Sequence, residues 1–594
     1  MADFIVKPSV ALAARARAHE CQGDDPSTRP LRVFAVDPSL PKAEGCVATV
    51  HVPYEPLEAG PVGNLFEVEC ADGRIRFPSL DLDNPRILIN NGLPPSVPNP
   101  AFHQQMVYAI SSSVYATFRR ALGRLIAWGG DDTMQHPAAG HLRLRLRPHV
   151  AQEGANATYD RNLREIRFGY STDPRLPDSR VFACLSHDII AHEMTHALID
   201  GLRSHLTIPT NGDVLGFHEG LADLVAVFHH FLYPEVLAAQ IREVGPKVEH
   251  SAMLTEIAAN FGLSTGGQGA VRRVGTDGKL QYDGNLEAHQ IGNVLASAVF
   301  TAFAKVFRRK TAKYIRLAGP QLDGYWREEL VQIMADEAAE LARSFLNICI
   351  RALDYCPPVD IQLGEYLRAM ITADSNLVAE DKWSYRETLI RSFAAHGIFP
   401  HGVMHMSEDA ILWCKPSRVM PRVAELSFNL LRFNGDPASP ASAEELNHQA
   451  RALGTFITQP AFCSEFGLTS ASVSRGVDPP EIASVRTSRR VGPDGQVLFD
   501  LIAEVTQRRT VTHAVSGIRT KILGGSTIVV GPKGEIRFAI SKNVLSEGRL
   551  SAQLDFQSTS EFWQSESGQY RLRGPVLPSV HDGLNRLHGA GCCA

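Results

Sequence analysis

Apolar residues in the middle of the chain recur at the spacing of an α-helix. In the segment Ala101 to Arg124 they are Phe102, Met106, Ala109, Ile110, Val114, Phe118 and Leu122. Positions three and four apart share one face of a helix, so this segment is predicted to be helical. Long amphipathic segments of the same kind recur from His187 to Gly397, notably from Trp326 to Tyr355. The middle of the chain is therefore predicted to be mainly α-helical.

Shorter alternating patterns on either side of this helical part predict strands. Up to about residue 95, runs such as Arg32 to Val36 and Gly73 to Phe77 alternate apolar and polar residues between turns. The run His141 to His149 predicts a strand with Leu on one face and Arg on the solvated face. Near the carboxyl end, the turns Val491 to Gly495 and Val530 to Gly534 each lead into an alternating run. That end is predicted to be mostly β.

These patterns predict an α+β protein with several domains. A chain of 594 residues exceeds the size at which a single hydrophobic core stops growing, and its 44% hydrophobic and 21% charged residues are typical of globular proteins. We predict a β-rich segment at residues 1–95, a helical domain at residues 96–400 and a mostly-β accessory domain at residues 425–594. A Pro- and Ser-containing stretch, Asp436 to Ser442, is the predicted boundary or linker.

The segment His192 to His196 (HEMTH) is an HExxH motif within one of the helical patterns. Residues four apart on a helix lie one above the other, so His192 and His196 can occupy adjacent corners of a zinc tetrahedron. Glu193 lies about 100° round the helix from His192, which puts its carboxylate beside the metal as a general base rather than a ligand. The motif predicts a catalytic metal centre.

A catalytic zinc ion usually has three protein ligands and one water, so a third ligand is expected. The next helical pattern, Val214 to Tyr233, carries Glu219 and Asp223 four residues apart. One carboxylate can bind the metal while the other accepts the distal N–H of a ligand histidine. We assign Glu219 to the metal and Asp223 to the histidine. The extended motif HExxHxxGxxH is excluded, because Ile199 and Leu202 stand where it requires Gly and His.

These two segments resemble the zinc helices of the thermolysin-like metallopeptidases, which are gluzincins. HEMTHALIDGL is similar to the first zinc helix, and HEGLAD, which contains Glu219 and Asp223, is similar to the second. The resemblance covers about residues 100–398. It implies a two-lobed zincin core with a β-rich amino-terminal lobe and a helical carboxyl-terminal lobe. It also implies one catalytic Zn²⁺ and a peptide or protein substrate.

The same resemblance implies roles for residues outside the two helices. Asn156 and Ala157 are similar to the edge strand that binds the substrate backbone. Asp188 matches an Asp one turn before the first ligand, which implies that it helps to orient the metal centre without binding the metal. His289 lies in a segment that resembles the one whose histidine stabilises the tetrahedral intermediate. Arg272, with Arg273 beside it as the alternative, is similar to the arginine that binds a substrate carbonyl.

Three features of the sequence depart from the family pattern. His230 stands where the family has a calcium-binding Glu, which argues against the family's double calcium site. His218 stands where the family usually has Asn. No Tyr lies between His196 and Glu219, so the tyrosine donor that accompanies the catalytic histidine in relatives is missing or supplied elsewhere.

Charge and cysteine content restrict the expected partners and location. With 59 Lys and Arg against 64 Asp and Glu, the net charge of -5 provides no overall basic field for nucleic acid or an anionic membrane. The 10 cysteines are scattered without a CxxC pair, and the amino terminus is a poor signal peptide. No stretch approaches about 18 uninterrupted apolar residues. These features predict a cytoplasmic protein, with non-classical export left open.

Two functions from different classes follow from these observations. The first is a zinc-dependent peptidase in which Glu193 activates a metal-bound water. The second is a zinc-stabilised scaffold, weakly active or inactive, that binds other proteins through its carboxyl-terminal domain. A cytoplasmic peptidase must avoid damaging its host, so residues 1–95 or the carboxyl-terminal domain are expected to restrict access to the cleft. A regulatory partner would then act through the carboxyl-terminal domain.

Overall fold

Helices dominate residues 187–411, and strands are concentrated before and after them, so that the computed structural model shows a mixed α/β protein with a carboxyl-terminal sheet. The structure describes residues 4–20, 22–36, 38, 46–72, 75–129, 142–151, 156–173, 176–257, 272–275, 280–321, 323–433, 439–470, 476–491, 495–513 and 517–573.

The α-helices in these ranges are numbered α1 to α14 in chain order. They are Pro8–Leu12, Pro85–Leu88, Pro100–Leu122, His187–Leu202, Gly212–His230, Pro234–Val244, Ala252–Thr255, Ala288–Ala318, Glu328–Ala352, Leu363–Leu377, Tyr385–Ala395, Glu408–Ile411, Ala443–Ile457 and Glu547–Thr559.

Helix α3 illustrates why these segments are helical. The Asn99 side chain accepts the backbone N–H of Ala101, and Pro100 occupies the first turn, both of which favour a helix start. The helix ends at Gly123, whose φ of 66° is left-handed and suits glycine. The apolar residues predicted from the 3.6-residue period are buried. The helix predicted between residues 101 and 124 is confirmed.

The strands are numbered β1 to β19 in the same way. They are Ile5–Val6, Thr28–Phe34, Val47–Pro53, Phe66–Val68, Ala71–Asp72, Ile75–Arg76, Leu144–Arg147, Ala157–Asp160, Glu165–Phe168, Tyr170–Asp173, Leu176–Phe182, Glu256–Ile257, Arg272–Arg273, Glu481–Val491, Val497–Thr512, Arg519–Val530, Ile536–Lys542, Trp563–Glu566 and Gln569–Leu572.

A four-stranded sheet with the order β4-β7-β9-β8 lies before the helical part of the chain. Strand β7 runs parallel to β4 and β9, whereas β8 is antiparallel to β9 and forms an edge of this sheet. Within β7, Leu144 and Leu146 are fully buried, while Arg145 and Arg147 are partly exposed and pair with Glu165. The predicted Leu-in, Arg-out alternation is confirmed.

The carboxyl-terminal sheet has the order β1-β14-β15-β16-β19-β18, with β17 paired to β16. One part of its apolar surface packs with α13 and with Val10 of α1. Another part belongs to the large core that contains the helices of the HExxH region, through Ile502, Val529 and Ile540. Buried polar contacts also join the carboxyl-terminal sheet to the helical part of the chain. Arg203 is 2.7 Å from Glu504, and the Thr527 hydroxyl donates to the Cys356 carbonyl. The three-domain division stays a prediction.

Helix α8 is the only described helix long and apolar enough to cross a membrane by length and composition. Within the protein, 83% of its most apolar window is buried, and its aromatic residues pack against α5 and α9. This burial is typical of a core helix.

Candidate metal centre

Helix α4 carries the HExxH motif through the protein core. Its apolar residues Ile190, Met194 and Leu198 are fully buried and hold the helix in place. His192 and His196 are also buried, at 3% and 1% exposure, and their Nε2 atoms lie 3.1 Å apart. One helical turn therefore brings the two imidazoles together, as their spacing predicts.

Helix α5 brings a carboxylate to the two imidazoles. It begins after Asn211, whose side chain accepts the backbone N–H of Val214. Fully buried Glu219 has Oε2 at 3.4 Å from His192 Nε2 and Oε1 at 3.5 Å from His196 Nε2. A tetrahedral zinc with bonds of about 2.0–2.1 Å separates its nitrogen and oxygen ligands by roughly 3.3 Å. The three groups therefore have the mutual spacing of ligands to one metal ion.

Glycines allow α5 and α8 to approach closely behind Glu219. A Cβ added to Gly292 of α8 would lie 2.7 Å from the Glu219 Cβ and 2.8 Å from the backbone nitrogen of Gly220. A Cβ added to Gly220 would lie 2.7 Å from the carbonyl oxygen of Gly292. These separations are shorter than van der Waals contact, so a side chain at either position would force the helices apart. The distance of the Glu219 carboxylate from the two histidines therefore depends on the close crossing of α5 and α8.

The second ring nitrogen of each histidine contacts a polar side chain of α5. His192 Nδ1 lies 3.0 Å from Asp223 Oδ1, and His196 Nδ1 lies 3.4 Å from His218 Nδ1. These contacts orient each ring with Nε2 towards Glu219. Burial opposes protonation of His192, but Asp223 and Glu219 outweigh it and raise its pKa to about 9. Burial lowers the pKa of His218 to about 4, and a neutral ring can accept the N–H of His196.

Glu193 lies beside the two histidines and is held by the edge strand of the four-stranded sheet. Its carboxylate is within 4.8 Å of ligand atoms of both motif histidines. Its Oε2 accepts the backbone N–H of Tyr159 in β8 at 2.9 Å. The Tyr159 hydroxyl also donates to Asp200 of α4 at 2.8 Å, which ties the strand to the helix a second time. Glu193 is thereby oriented without being one of the three converging groups.

The start of α8 places His289 against the same carboxylate. Its Nε2 lies 3.4 Å from Glu219 Oε2, and its Nδ1 lies 2.6 Å from Glu287 Oε1. Glu287 is also the N-cap of α8 and forms a reciprocal capping box with Gln290. Burial would raise the pKa of Glu287, but its hydrogen bond to His289 holds that pKa below the usual value. The His289 side chain is 14% exposed, more than any of the three converging groups.

No protein-family model matches the chain, and no curated protein matches it. The centre is therefore interpreted from its own geometry. In the described part of the chain, three clusters of buried side chains have a geometry that could hold a metal ion. They are His192 with Glu193 and His196, His187 with Asp188 and His230, and His103 with His149 and Cys184.

Asp188 lies one turn before His192, and its carboxylate contacts two other histidines. Its Oδ1 is 2.6 Å from His230 Nε2 and 3.6 Å from His187 Nδ1. Burial would raise the pKa of Asp188, but these histidines hold it well below its usual value. A contact between Asp188 and His230 therefore joins α4 to α5. The predicted role of Asp188 in orienting the centre stays a prediction.

The residues predicted to bind substrate lie in or directly before two strands. Asn156 precedes β8, and its carbonyl accepts the backbone N–H of Gly169 at 2.7 Å. Ala157 is the first residue of β8. Arg272 begins β13, whose backbone pairs with β12, and its side chain lies outside the described part of the structure. Their roles in substrate binding stay predictions.

Sequence reasoning misses three contacts of the centre. The Tyr159 amide leaves no side-chain signal, because any residue except proline would supply the same backbone N–H. His218 does leave a signal, since it directly precedes Glu219 in the sequence, yet its contact with His196 depends on how α4 and α5 pack. Glu287 stands two residues before His289, a spacing at which helical side chains do not face each other, and the contact forms because Glu287 is the N-cap and has extended backbone angles.

Proposed function

We propose that the protein is a zinc-dependent peptidase in which His192, His196 and Glu219 hold the metal. The observation that carries the proposal is the convergence of two imidazole nitrogens and one carboxylate to 3.1–3.5 Å, with Glu193 beside them. Two histidines and one glutamate suit zinc, and a three-ligand set leaves a position for water. The resemblance of both helices to the thermolysin-like metallopeptidases supports the same function and the corresponding two-lobed core.

The chain's own residues fit the steps of peptide hydrolysis. A bound Zn²⁺ would supply Lewis acidity and lower the pKa of a bound water to about 7. Glu193, oriented by the Tyr159 amide, accepts a proton from the attacking water and delivers it to the leaving amine. Carboxylate oxygens of Glu287 and Glu219 lie 2.6 Å and 3.4 Å from the two nitrogens of His289, which fixes the orientation of the ring. That ring can donate Nε2–H to the oxyanion of the tetrahedral intermediate.

The alternation of β8 supports binding of an extended peptide at its edge. The Tyr159 N–H points away from β9 and towards Glu193, and residues two apart in a strand direct their backbone groups to the same side. The backbone of Ala157 therefore faces the metal side, whereas the carbonyl of Asn156 is directed to Gly169. This favours Ala157 over Asn156 as a backbone partner for a substrate that adds as a strand.

Substitution Glu193→Gln tests the proposal. The variant is expected to keep the zinc content of the wild type and to lose hydrolysis of casein and of a peptide library by about 10²-fold or more, because it lacks the general base. Glu387→Gln is the matched control, since Glu387 is an exposed residue of α11. Zinc content is measured by elemental analysis, and cleavage by mass spectrometry. Wild-type activity in Glu193→Gln would overturn the assignment.

The same measurements decide between the peptidase and the scaffold. The three converging groups are at most 3% exposed, a burial that also suits a metal that only ties α4 to α5. A scaffold would hold zinc and lose thermal stability on chelation, yet cleave no member of the library. A peptidase would lose both stability and cleavage with the metal, and regain cleavage when zinc is restored.

A further inference from the structure

A second group of metal-binding side chains lies in the core beyond the candidate centre. His103 is in the first turn of α3, His149 follows β7, and Cys184 is in the short 3-10 turn Ala183–Leu185 that leads into α4. Their exposures are 1%, 3% and 0%. One ligand atom from each lies within 4.8 Å of the other two. Residues distant in sequence thus bring two imidazoles and a thiol together.

The histidine rings are oriented as metal-ligating rings commonly are. His103 Nε2 lies 2.7 Å from the carbonyl oxygen of Val97, so it carries the proton and leaves the Nδ1 lone pair directed at His149. His103 Nδ1 and His149 Nε2 are 2.7 Å apart. The other nitrogen of His149, Nδ1, lies 3.3 Å from the Cys70 sulfur. Both rings therefore have a partner on the outer nitrogen and face each other with the inner nitrogen.

The surroundings of the group are apolar and favour neutral side chains. The ring of His149 packs against Phe77, Tyr170 and Phe182. Burial lowers the pKa of His103 to about 4, and burial also raises the pKa of the Cys184 thiol well above its usual value. At neutral pH the His103 imidazole is therefore uncharged and able to bind a metal, while the Cys184 thiol must lose its proton on binding.

We propose that His103, His149 and Cys184 form a second metal site, for a divalent ion that prefers thiolate and imidazole ligands, with zinc as the best match. One thiolate and two imidazoles are soft and borderline ligands of the kind that zinc takes in proteins. On binding, the Cys184 S–H proton passes to solvent and a metal–sulfur bond forms, without oxidation or reduction. The site joins α3, the end of β7 and the start of α4, the helix that carries HExxH.

A metal-free hydrogen-bond chain is the competing explanation. The Cys70 thiol can donate to His149 Nδ1, His149 Nε2–H to His103 Nδ1, and His103 Nε2–H to the Val97 carbonyl. Ligand nitrogens on one tetrahedral zinc are roughly 3.3 Å apart, so metal binding requires the two rings to separate by about 0.6 Å. Rotation of the two histidine side chains provides that shift. The metal site and the hydrogen-bond chain are distinguished by the metal content of the protein.

Metal analysis and cobalt spectroscopy of the full-length protein test the site. The wild type, loaded with Co²⁺ and freed of excess ion, is expected to hold two ions per chain. It should show a near-ultraviolet thiolate-to-cobalt charge-transfer band, which the His192, His196 and Glu219 centre has no thiolate to produce. Cys184→Ser should lose the band and one ion per chain. Cys349→Ser, at another fully buried cysteine, should keep both.

A second variant covers the case in which Cys184→Ser does not fold. His149→Gln retains hydrogen-bonding capacity but removes one ligand, and it should also lose one ion and weaken or shift the band. The absence of a thiolate band in the wild type would overturn the proposal, because that measurement needs no variant. A wild-type ion count in folded Cys184→Ser would overturn it as well. Either result leaves the hydrogen-bond chain as the role of these residues, whatever the outcome for peptidase activity.

Discussion

Replacement of Gly292 by alanine is expected to displace Glu219 from the metal centre, although Gly292 binds no metal itself. The new Cβ would lie 2.7 Å from the Glu219 Cβ, 2.8 Å from the backbone nitrogen of Gly220 and 3.1 Å from the carbonyl oxygen of Gly216. Two of these atoms are backbone atoms, which cannot rotate away. To restore an ordinary contact of 3.4 Å, α5 and α8 must separate by about 0.7 Å at this point.

A shift of this size is large for a metal ligand. Metal–ligand distances are held to within about 0.2 Å, and rotation of the Glu219 side chain recovers only part of the displacement. We expect zinc affinity to fall by about 10–100-fold, the range seen when residues that support ligands are changed. This corresponds to roughly 1.4–2.7 kcal/mol of binding free energy. Overpacking at the crossing should also lower the free energy of unfolding by about 1–3 kcal/mol.

Competition with a chromogenic chelator measures the zinc affinity, and thermal unfolding with and without zinc measures the stability. Gly548→Ala is the matched control, because a Cβ at this position in α14 meets nothing within 4 Å. That control should keep wild-type zinc affinity and gain slightly in stability, since alanine is the better helix former. Wild-type zinc affinity and stability in Gly292→Ala would refute the view that the α5–α8 crossing positions Glu219.

Two further changes test the surroundings of the centre. Asp223→Asn removes the negative charge 3.0 Å from His192 Nδ1 and should weaken zinc binding by about 10–100-fold in the same competition assay, whereas an unchanged affinity would contradict its supporting role. Phe562→Ala removes a ring of the carboxyl-terminal part that packs against the cluster of Leu215 in α5 and Ala288 in α8. If that part restricts access, the variant should raise kcat/KM for long peptides several-fold. Equal kcat/KM in Phe562→Ala and in the control Phe428→Ala would argue against such restriction.

Several helices could be predicted from periodicity because the pattern is local. Apolar residues at the helical spacing, an N-cap and a terminal glycine act within a few residues of one another, so α3 and α5 begin and end within three residues of the predicted bounds. The alternating strand β7 was predictable for the same reason. The order of strands in the sheets was not, because β7 pairs with β4 and β9 through contacts that the alternation does not specify.

The same distinction between local spacing and packing applies to the contacts of the candidate centre. A sequence separation of four residues on one helix suffices to bring His192 and His196 together. The contact between Glu193 and the Tyr159 amide spans 34 residues, and the pair His103 and His149 spans 46, so both depend on how sheet and helices pack. The contact of His218 with His196 has the same origin.

The amino-acid sequence alone is sufficient to identify the HExxH helix, its two imidazoles and the acidic helix that follows, because the helix repeat sets those distances within one element. Only the packed chain determines that Glu219 reaches both imidazoles, through an α5–α8 crossing at which Gly220 and Gly292 leave no room for a side chain. Packing likewise brings together His103, His149 and Cys184, which belong to no common sequence motif. Distances between elements are set by side-chain volume and burial, which a local pattern does not encode.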